Sequence, residues 1–194
     1  ESENSGGRVN FLAPEVPRWE PDPGRPVIQL KGVTKRFGDT TVLDGLDLDI
    51  HTGLTTVICG QSGSGKSVLL KLMNGLELPD EGQVLLFGRD TRDLGPQELI
   101  ATRKRISMMF QNYALLDSFN VERNIGFPLL ENTDMPRNKI LDMARELLEL
   151  LGLGDAGKKL PNDLSGGMKK RVSLARAVIS NPEVVLFDEP TTGL

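Results

Sequence analysis

The sequence contains one cysteine, Cys59, one histidine, His51, and one tryptophan, Trp19. A lone cysteine permits no internal disulfide, which suits a reducing compartment. One cysteine and one histidine cannot build a zinc site of the usual kind. No apolar run approaches the roughly 18 residues that a membrane helix needs. The N-terminus shows neither the basic start nor the apolar stretch of a secretory leader, so none is expected. Any membrane association is therefore expected through a partner or the surface. The net charge is −4 at pH 7, which argues against a protein built to coat nucleic acid. What remains, 38% apolar and 26% charged among 194 residues, is the composition of a soluble globular chain. That length suits one large domain, or one with a subdomain.

The most informative stretch is Gly60-Gln61-Ser62-Gly63-Ser64-Gly65-Lys66-Ser67, which fits the phosphate-binding pattern G-x-x-x-x-G-K-[ST] without mismatch. Val57-Ile58-Cys59 leads in as an apolar strand. Val68, Leu69, Leu72, Met73 and Leu76 lead out at helical spacing. Three glycines let the backbone N–H groups turn inward on an anion, and the helix N-terminus adds partial positive charge. Lys66 is placed to meet the outer phosphates, and the Ser67 hydroxyl to ligate Mg²⁺.

Residues 1–26 are crowded with proline and read as an extended or disordered extension, with Trp19 a loosely held aromatic. Residues 27–111 read as an α/β core carrying an antiparallel β-unit. Val27–Leu30, Val33–Phe37, Val42-Leu43 and Leu46–Ile50 are its strands, with turns at Gly38-Asp39 and Thr52-Gly53. Leu54–Cys59 is expected to be the strand that feeds the phosphate loop, which makes Cys59 a packed core thiol. A short strand over Val84–Phe87, a helix over Pro96–Thr102 and an apolar run Ile106–Phe110 follow, with Met108 as core. Residues 112–180 read as an inserted helical subdomain. Its helices begin at Asn120, span Pro136–Leu151, and span Gly167–Ile179. Residues 181–194 hold Val184–Phe187, an apolar run expected to be a strand buried on both faces.

Asp188 and Glu189 end that strand, where ligands of parallel sheets sit. Beside a phosphate loop they divide naturally: Asp188 for Mg²⁺, Glu189 to orient and polarise an attacking water. Standing alone, they would read as turn residues. Leu164-Ser165-Gly166-Gly167-Met168 opens the last helix with bare backbone N–H groups suited to an anion, or simply as a serine cap.

Here the chain resembles a known family. Leu164–Met168 resembles the signature motif of the ATP-binding cassette (ABC) ATPases, whose usual form ends in Gln rather than Met168, and the resemblance covers Val27–Leu194. It implies a P-loop NTPase fold: an ABC ATPase core with an antiparallel β-subdomain and an inserted α-helical subdomain. It implies ATP and Mg²⁺, and a pair of subunits in which each ATP lies between one phosphate loop and the other subunit's signature. Gly60 to Lys66, with Ser67 and Val68, would cradle the phosphates. Phe37 matches the aromatic that stacks on adenine, although alone it reads as a hairpin residue. Gln111 matches the glutamine that touches Mg²⁺ and the attacking water, although alone it reads as a solvated strand end. Ser165, Gly166 and Gly167 match the groups that hold the partner's γ-phosphate. Catalysis would fall to Glu189, Lys66 and Gln111, and the metal to Ser67, Gln111 and Asp188.

Pro190–Leu194 begins a segment that ends, in that family, in an aspartate not reached here, and the family's switch histidine lies further on; His51 precedes the phosphate loop and cannot match it. The sequence is therefore expected to be a piece of a longer cassette. Met168, Met109–Gln111, Ala114–Ser118, Phe127–Leu129 and Glu131–Thr133 together resemble the ATPases of Mla/Mce-type phospholipid transporters of bacteria and plastids. That implies a transmembrane permease partner, a homodimer, no nucleic acid, and a peripheral place on the cytoplasmic membrane face or its plastid stromal equivalent. An importer cassette for another small substrate, a non-transport ABC ATPase and a non-hydrolysing ATP-binding module stand as alternatives. Arg103–Arg105 and Lys169–Arg171 could face phosphates or lipid headgroups, but read more simply as solvated helix faces.

Overall fold

The computed structural model describes residues 24–188. Two long strands, β1 (Pro26–Phe37) and β2 (Thr40–His51), form a hairpin turned by Gly38-Asp39. They absorb the four short strands expected from the sequence. The breaks between those runs become register shifts, such as that between Leu30 and Val33, and the ladder continues past them. His51 closes the hairpin opposite Pro26. β3 (Glu81–Leu86) pairs antiparallel with β1, and β4 (Arg89–Asp90) with β3, giving the order β2-β1-β3-β4. A second, parallel pair joins β5 (Ile106–Met109) to β6 (Val184–Phe187).

Between the two sheets lies α1 (Lys66–Met73), whose Leu69, Leu70, Leu72 and Met73 join Ile28, Leu30 and Val84 of one sheet and Ile106 and Leu186 of the other in a single core. The helix stops before Leu76, which the spacing had placed on its stripe. Leu76 N–H donates to Lys71 and Gly75 N–H to Leu72, with Gly75 at φ 64°. This paired closure needs a left-handed residue, which glycine supplies without strain. The helix α2 (Pro96–Lys104) follows, its start closed by Glu98, which accepts the Gly95 N–H.

The helices α3 (Val121–Asn132), α4 (Arg137–Leu150) and α5 (Gly166–Val178) build a second core from Ile125, Ile140, Leu148 and Val172, each fully buried.

Two expectations fail, for one reason. Leu54–Cys59 enters neither sheet; Leu54 is 71% and Val57 76% exposed, and Cys59 is exposed rather than packed. β6 is not buried on both faces: Leu186 is buried but Phe187 is 43% exposed. An apolar run becomes a core strand only when ladder partners satisfy its backbone groups on both sides. Among the described residues β6 has only β5 beside it, and 54–59 has no ladder partner.

Candidate nucleotide-binding site

The phosphate loop leaves residue 59 and enters α1 through Gly65, whose φ of 87° is left-handed. A Cβ there would stand 2.8 Å from Val42 Cγ1 and 3.2 Å from the Val42 carbonyl oxygen, so the position demands glycine on both counts. The loop is tightened by Ser64 N–H donating to Gln61, and Gln61, Ser62, Gly63 and Ser64 stand exposed. No side chain caps α1 and no acid occupies its first turn, which leaves its N–H groups and dipole to an anion. Lys66 bends back over the loop: its ammonium donates to the carbonyls of Gly60 at 3.0 Å and Gln61 at 2.8 Å. Val68 packs on the core below.

The decisive contact joins the start of α1 to the last described residue. Ser67 Oγ donates to Asp188 Oδ1 at 3.1 Å, although they stand 121 positions apart in sequence. α1 supplies the hydroxyl from its first turn. β6 supplies the carboxylate from just past its last residue, where Asp188 N–H continues the parallel ladder by donating to Met109. Gln111 lies in the turn two residues beyond Met109, at the same carboxyl end of the β5-β6 pair. Glu189 and the 190–194 segment lie outside the described residues, as does Trp19.

An ATP-bound Mg²⁺ fits this donor set, because a hydroxyl and a carboxylate are hard oxygen ligands. No group of three His, Cys, Asp or Glu gathers among the described residues, so phosphate oxygens and water would complete the shell.

Phe37 ends β1, 48% exposed, with the Lys35 ammonium 5.4 Å from its ring. It pairs with Thr40 on the hairpin that brings Val42 against Gly65, which sets the ring's strand beside the loop. Ser165 caps α5 by accepting the Met168 N–H at 3.3 Å. Ser165, Gly166 and Gly167 are exposed, and a Cβ on Gly167 would meet nothing within 4 Å. The side-chain bond of Ser165 stays within its own helix.

Several residues that shape the surroundings escaped the sequence reading. Asn124 is fully buried and holds the chain between β5 and α3: it accepts from Leu116 N–H and donates to the carbonyls of Leu116, Phe119 and Asn120. Arg176 and Ser173 of α5 bond the carbonyls of Tyr113 and Ala114. The available signal was a single arginine inside the apolar stretch 174–179. Glu122 is 5% exposed, and burial pushes its carboxyl up. Hydrogen bonds from Arg145 and Lys158 more than offset this and leave it below the ordinary value. The arginines of the basic triplets are tied down rather than free. Arg103 bonds the Gly75 carbonyl, Arg105 grips Glu183 and stacks on Phe87, and Arg171 bonds the Leu151 carbonyl.

Known proteins share this arrangement. The family described as ABC transporter matches residues 43–192. The intermembrane phospholipid transport system ATP-binding protein MlaF of Haemophilus influenzae is 41% identical over 167 residues, covering 86% of this chain and 63% of its own. The methionine import ATP-binding protein MetN of Rhizobium johnstonii is 45% identical, covering 87% of this chain and 46% of its own. The probable ribonucleotide transport ATP-binding protein mkl of Mycobacterium leprae is 42% identical, covering 86% and 48%. The chain thus spans about half to two thirds of the length of these curated relatives. Among solved structures, the dimeric post-hydrolysis state of the ATP-binding cassette MJ0796, bound to ADP and Pi, superposes with a TM-score of 0.78 at 34% identity, covering 86% of this chain and 75% of that one. A phosphate loop joined to the end of a neighbouring strand and a separate glycine-rich helix start, together with these matches, place the chain in the ABC transporter family, as an ATP-binding domain.

Proposed function

We propose that this chain is the ATP-hydrolysing part of a transporter that moves phospholipid, working as a pair of copies beneath a membrane permease. The observation that carries the reading is the Ser67–Asp188 hydrogen bond, which brings the phosphate loop and the acidic strand end into one site.

In this reading the N–H groups of Gly63 to Val68 bind the phosphates, and Lys66 swings from the loop carbonyls to the outer phosphates. Ser67 and Asp188, with Gln111, would hold Mg²⁺, which when bound would supply charge neutralisation at those phosphates. Glu189 orients and polarises the attacking water, Gln111 fixes it from the adjacent strand end, and Phe37 stacks on the base. Ser165, Gly166 and Gly167 of a second copy cover the γ-phosphate. Their exposure in this chain supports that role. In this reading the permease supplies attachment at the cytoplasmic face; no helix among the described residues is long and apolar enough to cross a membrane.

The phospholipid assignment draws on the likeness to MlaF at 41% identity. A second reading, an importer cassette for a small polar substrate, draws on MetN at 45%. The full-length protein, extracted gently from membranes, is expected to bring a permease with it, and purification without one argues against transport. Reconstituted with that permease, its ATPase should respond to phospholipid and not to methionine; the reverse response favours the second reading. In the same preparation Lys66→Ala should weaken ATP binding about 100-fold, near 2.7 kcal/mol, while Glu189→Gln keeps binding and stalls turnover. Unchanged ATP affinity in Lys66→Ala would sink the site assignment.

A further inference from the structure

The segment that leaves Gln111 is gripped from the helix that Ser165 opens. Arg176, toward the far end of α5, donates from Nη1 to the Ala114 carbonyl and from Nη2 to the Tyr113 carbonyl, both at 2.6 Å. Ser173, one turn earlier on the same face and buried, donates its hydroxyl to the Tyr113 carbonyl at 3.2 Å. Three donors thus converge on two adjacent carbonyls. The residues they hold are both left-handed and neither is glycine, with φ of 59° at Tyr113 and 47° at Ala114. L-residues keep that conformation only where their surroundings over-determine it.

Arg176 has no carboxylate partner among the described residues, and burial lowers its guanidinium from the ordinary value. A desolvated cation spent entirely on backbone carbonyls is costly unless its fork geometry is required. What it holds is a junction. Upstream, Met109 pairs with Phe187, and Asp188 N–H bonds Met109, so Gln111 lies between that ladder and the gripped pair. Downstream, Asn124 of α3 fixes Leu116. The chain from Met109 to Leu116 is thus anchored at the acidic strand end, at α5 and at α3.

We propose that Arg176 is a positioning residue: by holding Tyr113 and Ala114 in their left-handed turn, it ties the helix that begins at Ser165 to the loop that carries Gln111. Engagement of Ser165–Gly167 by nucleotide is then felt at Gln111 through one rigid helix. The catalytic half of this inference rests on the ATPase reading above; the mechanical half does not.

The test uses the full-length protein and Mg-ATP. In Arg176→Ala, amide exchange at Tyr113 and Ala114, whose N–H groups donate to Phe110 and Asn112, should rise about tenfold while α1 stays protected. ATP hydrolysis should fall about tenfold with ATP affinity held within about twofold, a split that general loss of fold does not produce. Arg176→Lys, which keeps the charge but not the fork, should recover part of both, and it carries the same two readouts if Arg176→Ala does not fold. Unchanged exchange at 113 and 114 overturns the inference, as does a parallel loss of affinity and hydrolysis in Arg176→Lys. Failure of the unsubstituted protein to bind ATP overturns the ATPase reading instead, and the exchange comparison still decides whether Arg176 holds the turn.

Discussion

Two helices in this chain begin with small residues and no acid in the first turn, and they stand in opposite situations. α1 starts at a left-handed Gly65 pressed against Val42, without a side-chain cap, and its Ser67 is already bonded to Asp188. α5 starts at an extended Ser165 that caps its own helix, followed by two exposed glycines with room around Gly167. At the first helix start Gly65 is crowded by its own chain and tolerates almost no added atom, while the N–H groups beyond it stay uncapped. The second is open among the described residues, so any demand for small residues there must come from outside them. One helix start is packed against its own hairpin and the other stands exposed, and local geometry separates them.

Substitutions can break or sharpen that contrast. The largest loss of stability is expected for Gly65→Ala: a left-handed backbone and a close approach to Val42 together should cost about 2–3 kcal/mol, read by chemical denaturation. Next comes Glu122→Gln. α3, unlike α1 and α5, carries an acid in its first turn, held by Arg145 and Lys158. The folded carboxyl titrates below its ordinary value of 4.5. Its contribution is therefore whole above about pH 4.5 and is lost as pH falls through the depressed folded value. Glu122→Gln should cost about 1–2 kcal/mol at neutral pH, and stability measured from pH 7 down to pH 3 should show a flatter acid limb.

Ser165→Ala removes a long cap bond and should cost about 0.5–1 kcal/mol, while lowering hydrolysis far more than stability. Gly167→Ala should leave the melting temperature unchanged or raise it slightly, since alanine favours helix by about 0.5–1 kcal/mol over glycine. Its ATPase, measured where copies can pair, should still fall. Equal destabilisation by Gly65→Ala and Gly167→Ala would erase the contrast between the two helix starts.

What could be read in advance followed the range of the interaction. Gly60–Ser67 and the Ser165 cap were legible because a loop and a cap are written in consecutive residues. The β1-β2 hairpin was legible in its alternation, but not in its continuity: bulges shift a ladder without ending it, so four expected strands became two. The segment 54–59 and Phe187 were misjudged because hydrophobic runs predict burial, whereas burial needs neighbours that lie elsewhere in the chain. Asn124 left no local signal, and Arg176 only that of one arginine in an apolar stretch, for a related reason. Each acts on carbonyls whose positions no local pattern reveals.

The hydroxyl of Ser67 and the carboxylate of Asp188 stand 121 positions apart, with every helix from α2 to α5 between them. A contact of that span closes a very large loop and forms only after what lies between has taken shape. The phosphate loop itself is local and free to curl early. The Ser67–Asp188 contact should therefore lag behind helix formation when the unfolded chain is returned to water, and appear only with the last cooperative step. A probe that reads that one contact would act as a clock for the completion of folding.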